Sequence, residues 1–289
     1  MEKEENLEER SLRQFDALVE RGNLLWRTTT PQLIKAEPFN FQFRSANSLI
    51  AKPILSSTDP GRSKSTNAFS DTDPDFLISH IGSSHTLILN KYCVVRPQFI
   101  LHANSFIPQS DHLTESDLGA SWTVLSSLTR GKYIVIYNCG FEGGSSIGHK
   151  HLQILPRPSE GDGFEFFPDL LGLSSDTSTV SDIPFRHAVK KVPTSPSSTQ
   201  LIEIYESLVE ISGVKDAAGH NVLLTGDWIL VIPRSKGRKG ILSANAAAMA
   251  GMVWVTGEEE VRQWVEAGLM NLLCEFGVSV SATSDPLPI

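Results

Sequence analysis

Cysteine is scarce in this chain. Its 289 residues include three, Cys93, Cys139 and Cys274, far apart and without CxxC spacing. Neither a disulfide framework nor a cysteine zinc site is therefore expected, and each thiol reads as a small buried hydrophobe. Basic charge is also in deficit: 25 Lys and Arg against 33 Asp and Glu leave a formal charge of −8. That balance argues against a nucleic-acid partner, because nucleic-acid binders draw affinity from neutralising phosphates. A small anionic substrate stays compatible with it if positive charge is gathered locally. The chain has no uninterrupted apolar run near the roughly 18 residues of a membrane span. Its first residues, MEKEENLEER, are acidic where a secretory or mitochondrial presequence is basic. Together these features predict a protein of the cytoplasm, or also of the nucleus, with no membrane contact.

What is present, 40% hydrophobic and 20% charged residues, suffices for one large or two modest domains. No internal repeat is visible. Leu12, Phe15, Leu18 and Val19 lie at helical spacing ahead of Gly22 and predict a first helix. FQFRSAN (41 to 47) reads as a strand, and the Ser, Asp and Pro-rich residues 56 to 75 as a mobile surface loop without an assigned role. HTLILNKYCVV (85 to 95) and QFILHA (98 to 103) predict neighbouring strands on either side of Arg96-Pro97. A helix follows, capped by Thr114 or Ser116, with Leu118, Trp122, Leu125 and Leu128 in one stripe. KYIVIYNC, HLQIL and residues 184 to 192 read as further strands. Ser197 and Gln200 form a capping box before a helix over 201 to 211, and HNVLLT and DWILVIP flank Gly226 as a hairpin. Residues 258 to 277 predict one closing helix with acidic residues in its first turn. Short turns between most strands and one long inserted helix predict an α+β fold, an antiparallel sheet with helices packed on one face.

The densest chemistry lies in GGSSIGHKHLQIL, residues 143 to 155. If HKHLQIL is a strand, His149, His151 and Gln153 share one face, while Lys150, Leu152 and Ile154 share the other. The preceding glycines let backbone N–H groups approach an anion, and Ser145 and Ser146 add hydroxyl donors. A phosphate cradle thus stands beside imidazoles that are largely neutral near pH 7, and neutral imidazole is a competent nucleophile toward phosphorus. Two rival readings remain, a structural loop with structural histidines and a zinc site. Zinc needs a third good ligand, and Gln153 is a poor one, so phosphate chemistry is favoured and no protein metal site is expected.

GSSIGHKHLQILPRP resembles the signature of the histidine-triad superfamily, in the branch ending in glutamine: the fungal-type ATP adenylyltransferases, or diadenosine tetraphosphate phosphorylases. LILNKYCVVRPQFIL, HNVLLTGDWILVIPRS and LSANAAAMAGMVWV resemble further blocks of that family, in family order from residue 85 to 256. The resemblance implies a histidine-triad-like sheet elaborated by a C-terminal extension, with a catalytic domain over 1–183 and a region over 184–289 that completes the nucleotide site. It also implies cleavage of a dinucleoside tetraphosphate by inorganic phosphate to ATP and ADP, reversibly, through a nucleotidylated His151. His149 would orient the site, and Gln153, where the hydrolase branches carry histidine, would donate to the phosphate. By the same resemblance Lys52, Asn90, Lys91, Asn138, Gly144, Ser145, Ser146, Ile147, Ser243, Asn245 and Met252 would contact substrate. No covalent cofactor is implied, and a divalent cation such as Mg2+ could accompany the polyphosphate.

Two positions depart from the family pattern. Ile147 stands where glutamine is usual, and Thr256 where lysine is common. The cluster Arg234, Lys236, Arg238 and Lys239 either meets distal phosphates or forms a solvated loop. Two other functions compete: a hexose-1-phosphate uridylyltransferase, which shares HxHxQ but commonly has proline between the histidines, and a non-catalytic dinucleotide sensor.

Overall fold

YIVIYNC and WILVIP are apolar at nearly every position, more than one buried face requires, and the computed structural model shows what covers the second face. It describes residues 5–62, 68–69, 73–129, 132–158, 160–170, 179–215 and 218–280. In chain order the strands are β1 (Gln32–Ile34), β2 (Phe41–Ser45), β3 (Leu77–Ile81), β4 (His85–Leu89), β5 (Phe99–Ala103), β6 (Tyr133–Cys139) and β7 (His151–Pro156). There follow β8 (Ala188–Lys191), β9 (His220–Leu224), β10 (Trp228–Pro233), β11 (Arg238–Lys239), β12 (Leu242–Ser243) and β13 (Met252–Val255). The helices are α1 (Leu7–Glu20), α2 (Glu115–Ser127), α3 (Phe167–Leu170), α4 (Ser198–Ser212), α5 (Ala246–Met249), α6 (Glu258–Ala267) and α7 (Leu269–Phe276).

The main sheet has eight strands in the order β3-β4-β5-β7-β6-β9-β10-β8, every neighbouring pair antiparallel. Strands on both sides of residue 183 share it, β6 pairing with β9. On one face Val135, Tyr137, Leu152, Ile154, Val222 and Val231 join Phe15 of α1, Leu118 and Val124 of α2, and Leu201 and Leu208 of α4 in one core. On the other, Ile134, Ile136, Leu155, Leu223, Leu230 and Ile232 join Phe41 and Phe43 of β2, Val253 of β13, and Trp264 and Phe276. The expectation of helices on one face is therefore corrected. An apolar run with period 2 on both faces needs a second layer, here β1-β2-β13 and the C-terminal helices.

The N-terminal helix and the Ser197–Gln200 capping box of α4 stand as read, and of the two N-cap candidates Thr114 rather than Ser116 caps α2. The single closing helix does not: it breaks at Gly268 (φ +82°). The break turns α7 so that Phe276 meets Trp264 of α6 with ring centroids 5.9 Å apart. The strand read over 85 to 95 ends at Leu89, because the Asn90 side chain accepts from the backbone N–H of Tyr92 and closes a turn. Of the expected loop at 56 to 75, residues 63–67 and 70–72 lie outside the described residues.

Candidate active site

The face of the sheet that carries the second core changes character at one end. On β7 it runs Leu155, Gln153, His151; on β6, Ile136 then Asn138; on β9, Leu223 then Asn221. Each strand thus hands its apolar stripe over to polar side chains at the same level. There the ladder between β6 and β7 ends at Ile136↔Gln153. The buried Gln109 side chain takes its place, accepting from His151 N at 2.7 Å and donating to His151 O at 3.1 Å and Asn138 O at 3.0 Å. Separating the two strands without leaving their backbone groups unpaired opens room for a ligand.

His151 opens β7. Its Nδ1 lies 2.8 Å from the carbonyl oxygen of His149, which can only accept, so Nδ1 carries the proton and Nε2 keeps its lone pair. Burial, with smaller contributions from the charges of Lys52 and neighbouring histidines, lowers its pKa to about 4. At neutral pH the ring is a free base with a fixed tautomer. His149 lies in the turn before the strand, bridged to Pro108, so the shared-face pattern holds for His151 and Gln153 alone. Its Nε2 faces the Ala103 carbonyl at 2.8 Å, and its Nδ1 accepts from Ala68 N at 3.2 Å. With both nitrogens engaged, His149 supports its neighbour rather than competing as a nucleophile.

The glycine-serine loop is braced from both sides. Gly144 has φ +87°, and a Cβ there would come within 2.6 Å of Ala244 O; one on Gly148 would meet the Arg62 backbone at 2.2 Å. Arg62 donates to Ser145 O at 2.7 Å, Ser145 Oγ at 3.1 Å and Ile147 O at 3.4 Å, and lies over the Phe141 ring. Leu55 N donates to Ser146 O. The first stretch of the loop read as role-free therefore clamps the glycine-serine loop. Phe69, from the same region, stacks on His102 at 4.4 Å and meets His151 edge-on at 5.8 Å. Nothing in the local sequence signalled either contact, since the partners lie far apart along the chain.

Two cavities meet at Lys52 and Ser146. One, about 290 Å³, is lined by Gly144, Ser145, Arg238, Ser243, Asn245, Trp254 and Thr256 among others. The second, about 370 Å³, is lined by His151, Gln153, Asn90, Lys91, Ile147, Phe69 and Tyr92 among others. Burial, and secondarily the charge of Arg238, brings the Lys52 pKa down to about 8. Two expected contact residues, Asn138 and Met252, stand outside both cavities, as does His149, expected to orient the site. Met252 is buried, with its side chain packed in the second core. Asn138 ties the halves of the site together, its Oδ1 accepting from Asn221 Nδ2 at 3.0 Å and Ala246 N at 2.7 Å. Thr256, at the position where lysine is common in the resembled family, bonds to Glu260 through both its N–H and hydroxyl.

The basic cluster divides. Arg234 is buried and donates to Gly143 O, Asn221 Oδ1, Ala244 O and Phe276 O, so it braces the cradle from within and is neither solvated nor at a phosphate. Lys236 and Lys239 both pair with Glu275 at 2.7 Å. Arg238 alone of the four lines the first cavity. Lys150 points to the opposite face, where Nζ meets Asp117 at 3.1 Å and the His112 carbonyl at 2.7 Å, while His85 holds the other carboxylate oxygen. This buried triad anchors the motif strand to α2.

Comparison with known proteins shows the family. Residues 1–167 match the family described as the Ap4A phosphorylase N-terminal domain, and residues 181–279 the ATP adenylyltransferase C-terminal domain. The chain belongs to the Ap4A phosphorylase family. A member of that family from Saccharomyces cerevisiae, Diadenosine 5',5'''-P1,P4-tetraphosphate phosphorylase 2, is 30% identical, with 91% of each chain covered. Protein APA1 of the same yeast is 28% identical over 71% of this chain and 72% of its own. Yeast Ap4A phosphorylase Apa2 in complex with Ap4A superposes with a TM-score of 0.79 at 27% identity, covering 96% of this chain and 98% of its own. Its AMP complex gives 0.80 at 28%, covering 98% and 99%.

Proposed function

We propose that this member of the Ap4A phosphorylase family phosphorolyses diadenosine tetraphosphate to ATP and ADP, reversibly, with His151 as the nucleophile. The observation that carries the reading is the state of His151: a buried, neutral imidazole, its proton held on Nδ1 by a carbonyl and its other nitrogen free. In the first displacement Nε2 bonds to an α-phosphorus, the P–O bond to the remaining three phosphates breaks, and ATP leaves. As the ring gains positive character, the His149 carbonyl stabilises the Nδ1 proton. In the second, an oxygen of inorganic phosphate bonds to the same phosphorus, the P–N bond breaks, and ADP leaves with imidazole restored.

Charge developing on the phosphoryl oxygens is met by donors already in place. Ser146 lines the junction of the two cavities with Lys52, and Gly144 and Ser145 line the first cavity beside it. In the second cavity Asn90 has its oxygen committed to Tyr92 N, so its amide NH2 faces substrate as a donor. Ser243 and Asn245 serve the first cavity, Lys91 and Ile147 the second. The tetraphosphate spans the Lys52 junction, and a divalent cation such as Mg2+ arrives with it on the phosphates; no covalent cofactor takes part. Substrate and phosphate are the partners in this reading, which places the reaction in the cytoplasm or also the nucleus, away from membrane and nucleic acid. Among the described residues no helix is long and apolar enough to cross a membrane.

The test is product analysis with and without phosphate. Consumption of the tetraphosphate requires phosphate and yields ATP and ADP in equal amounts. His151→Ala loses at least about 10⁴-fold in turnover, a size typical of a deleted nucleophile, while circular dichroism and thermal midpoint stay near those of the parent. Phosphate-independent cleavage to two ADP, or an active His151→Ala, overturns the reading.

A further inference from the structure

Gln98 is among the most buried polar residues of the chain, 1% exposed, just ahead of β5 and outside the residues given a role above. Its partners determine its orientation. At one end lies the backbone N–H of Val94, 2.8 Å away, which can only donate, so that end of Gln98 must be the oxygen. The opposite end is then NH2, which can only donate. The atom it meets at 2.9 Å on Gln153 is therefore the carbonyl oxygen, leaving the Gln153 NH2 for the second cavity, which Gln153 lines.

We propose that Gln98 is a positioning residue for the transfer reaction: it locks the Gln153 amide so that a donor, never an acceptor, faces the phosphoryl group beside His151. This rests on the reading of Gln153 as a phosphate donor. Without the lock, Gln153 can rotate its amide by half a turn and present an oxygen to an anion. An oxyanion donor is worth about 10²- to 10³-fold in turnover, and loss of its orientation forfeits part of that.

Gln98→Glu separates this role from packing, because it keeps shape and changes only what the end group can donate. Above its pKa the introduced carboxylate accepts at both ends, so Gln153 turns its NH2 toward that carboxylate and its oxygen toward substrate. The expected result at pH 8 is a kcat lower by about 30-fold or more with KM changed much less. On acidification the protonated carboxyl donates to Gln153 again, and activity relative to wild type at the same pH recovers. Gln98→Leu loses activity at every pH, and in a Gln153→Ala background adds little further loss. A Gln98→Glu enzyme with wild-type kcat at pH 8, a pH-independent loss, or full additivity with Gln153→Ala overturns the proposal.

If wild type shows no phosphate-dependent turnover, the functional reading fails on its own. The orientation is then read from the Gln153 side-chain amide signals during titration with inorganic phosphate. They shift in wild type and not in Gln98→Glu at pH 8 if Gln98 sets the donor, and shift equally in both if it does not.

Discussion

At the scale of single residues, the site presents donors because its amide oxygens are already taken. Asn90 gives its oxygen to Tyr92 N, and Gln153 to Gln98. Backbone N–H groups have one polarity, so they fix side-chain amides more firmly than other amides can. Lys52 and Arg238 add the positive charge lining the first cavity, and they repel each other. In the proposed reaction Lys52 binds the polyphosphate while protonated, so wild-type kcat/KM is expected to fall as pH rises through about 8. In Arg238→Gln the repulsion is gone, the Lys52 pKa rises, and the alkaline limb of kcat/KM moves to higher pH while KM at neutral pH increases about threefold or more, an effect of the size expected for a partly exposed charge. An unmoved limb would remove Arg238 from the account of Lys52.

At the scale of elements, β7 is held by what lies behind it as much as by its ladder. Burial alone would raise the Asp117 pKa, but the His85 hydrogen bond, the Lys150 charge and the Thr114 bonds outweigh it and bring it to about 2. The carboxylate is thus ionised and joins α2, β4 and β7 at one point. Lys150→Met removes one partner from a buried pair and should cost about 3–5 kcal/mol, a penalty characteristic of leaving a buried charge uncompensated. Urea denaturation measures it; a loss below about 1 kcal/mol would mean that His85 and Thr114 suffice for Asp117. The motif alternation gave His151 and Gln153 one face and Lys150 the other, and both were legible from spacing. His149 was not, because the strand begins only at residue 151, where β5 pairing starts at His102↔His151.

At the scale of the whole molecule, stability and function are linked through buried neutral histidines. His151, His187 and His220 all have pKa values brought to about 4, chiefly by burial. Unfolded, each titrates near about 6.5. Between these values the unfolded chain binds more protons than the folded one, so stability falls as pH drops from about 6.5 toward 4. Asp117 contributes in a lower window, its share lost as pH falls from 3.8 to about 2. Each histidine adds a slope of up to about 1.4 kcal/mol per pH unit. Unfolding free energy measured from pH 7 to 4.5 should show this decline, and His187→Gln, remote from the nucleophile, should lessen the slope by about one histidine. An unchanged slope would show that His187 is not neutral in the fold.

Local patterning alone determined the sheet's core strands, the Ser197–Gln200 capping box and the histidine motif, because these depend on residue spacing over a few positions. It also indicated the phosphate cradle, since glycine and serine ahead of a histidine strand define its chemistry. Only the tertiary structure decided what the cradle leans on: Arg62 from a stretch read as plain loop, Gln109 in place of a sheet ladder, and Arg234 and Asn221 beneath Gly143. It likewise placed Met252 in the core and broke the last helix at Gly268. These outcomes rest on contacts between distant segments, whose partners carry no periodic signal, and a side chain's role is set by which backbone groups its neighbours leave unpaired.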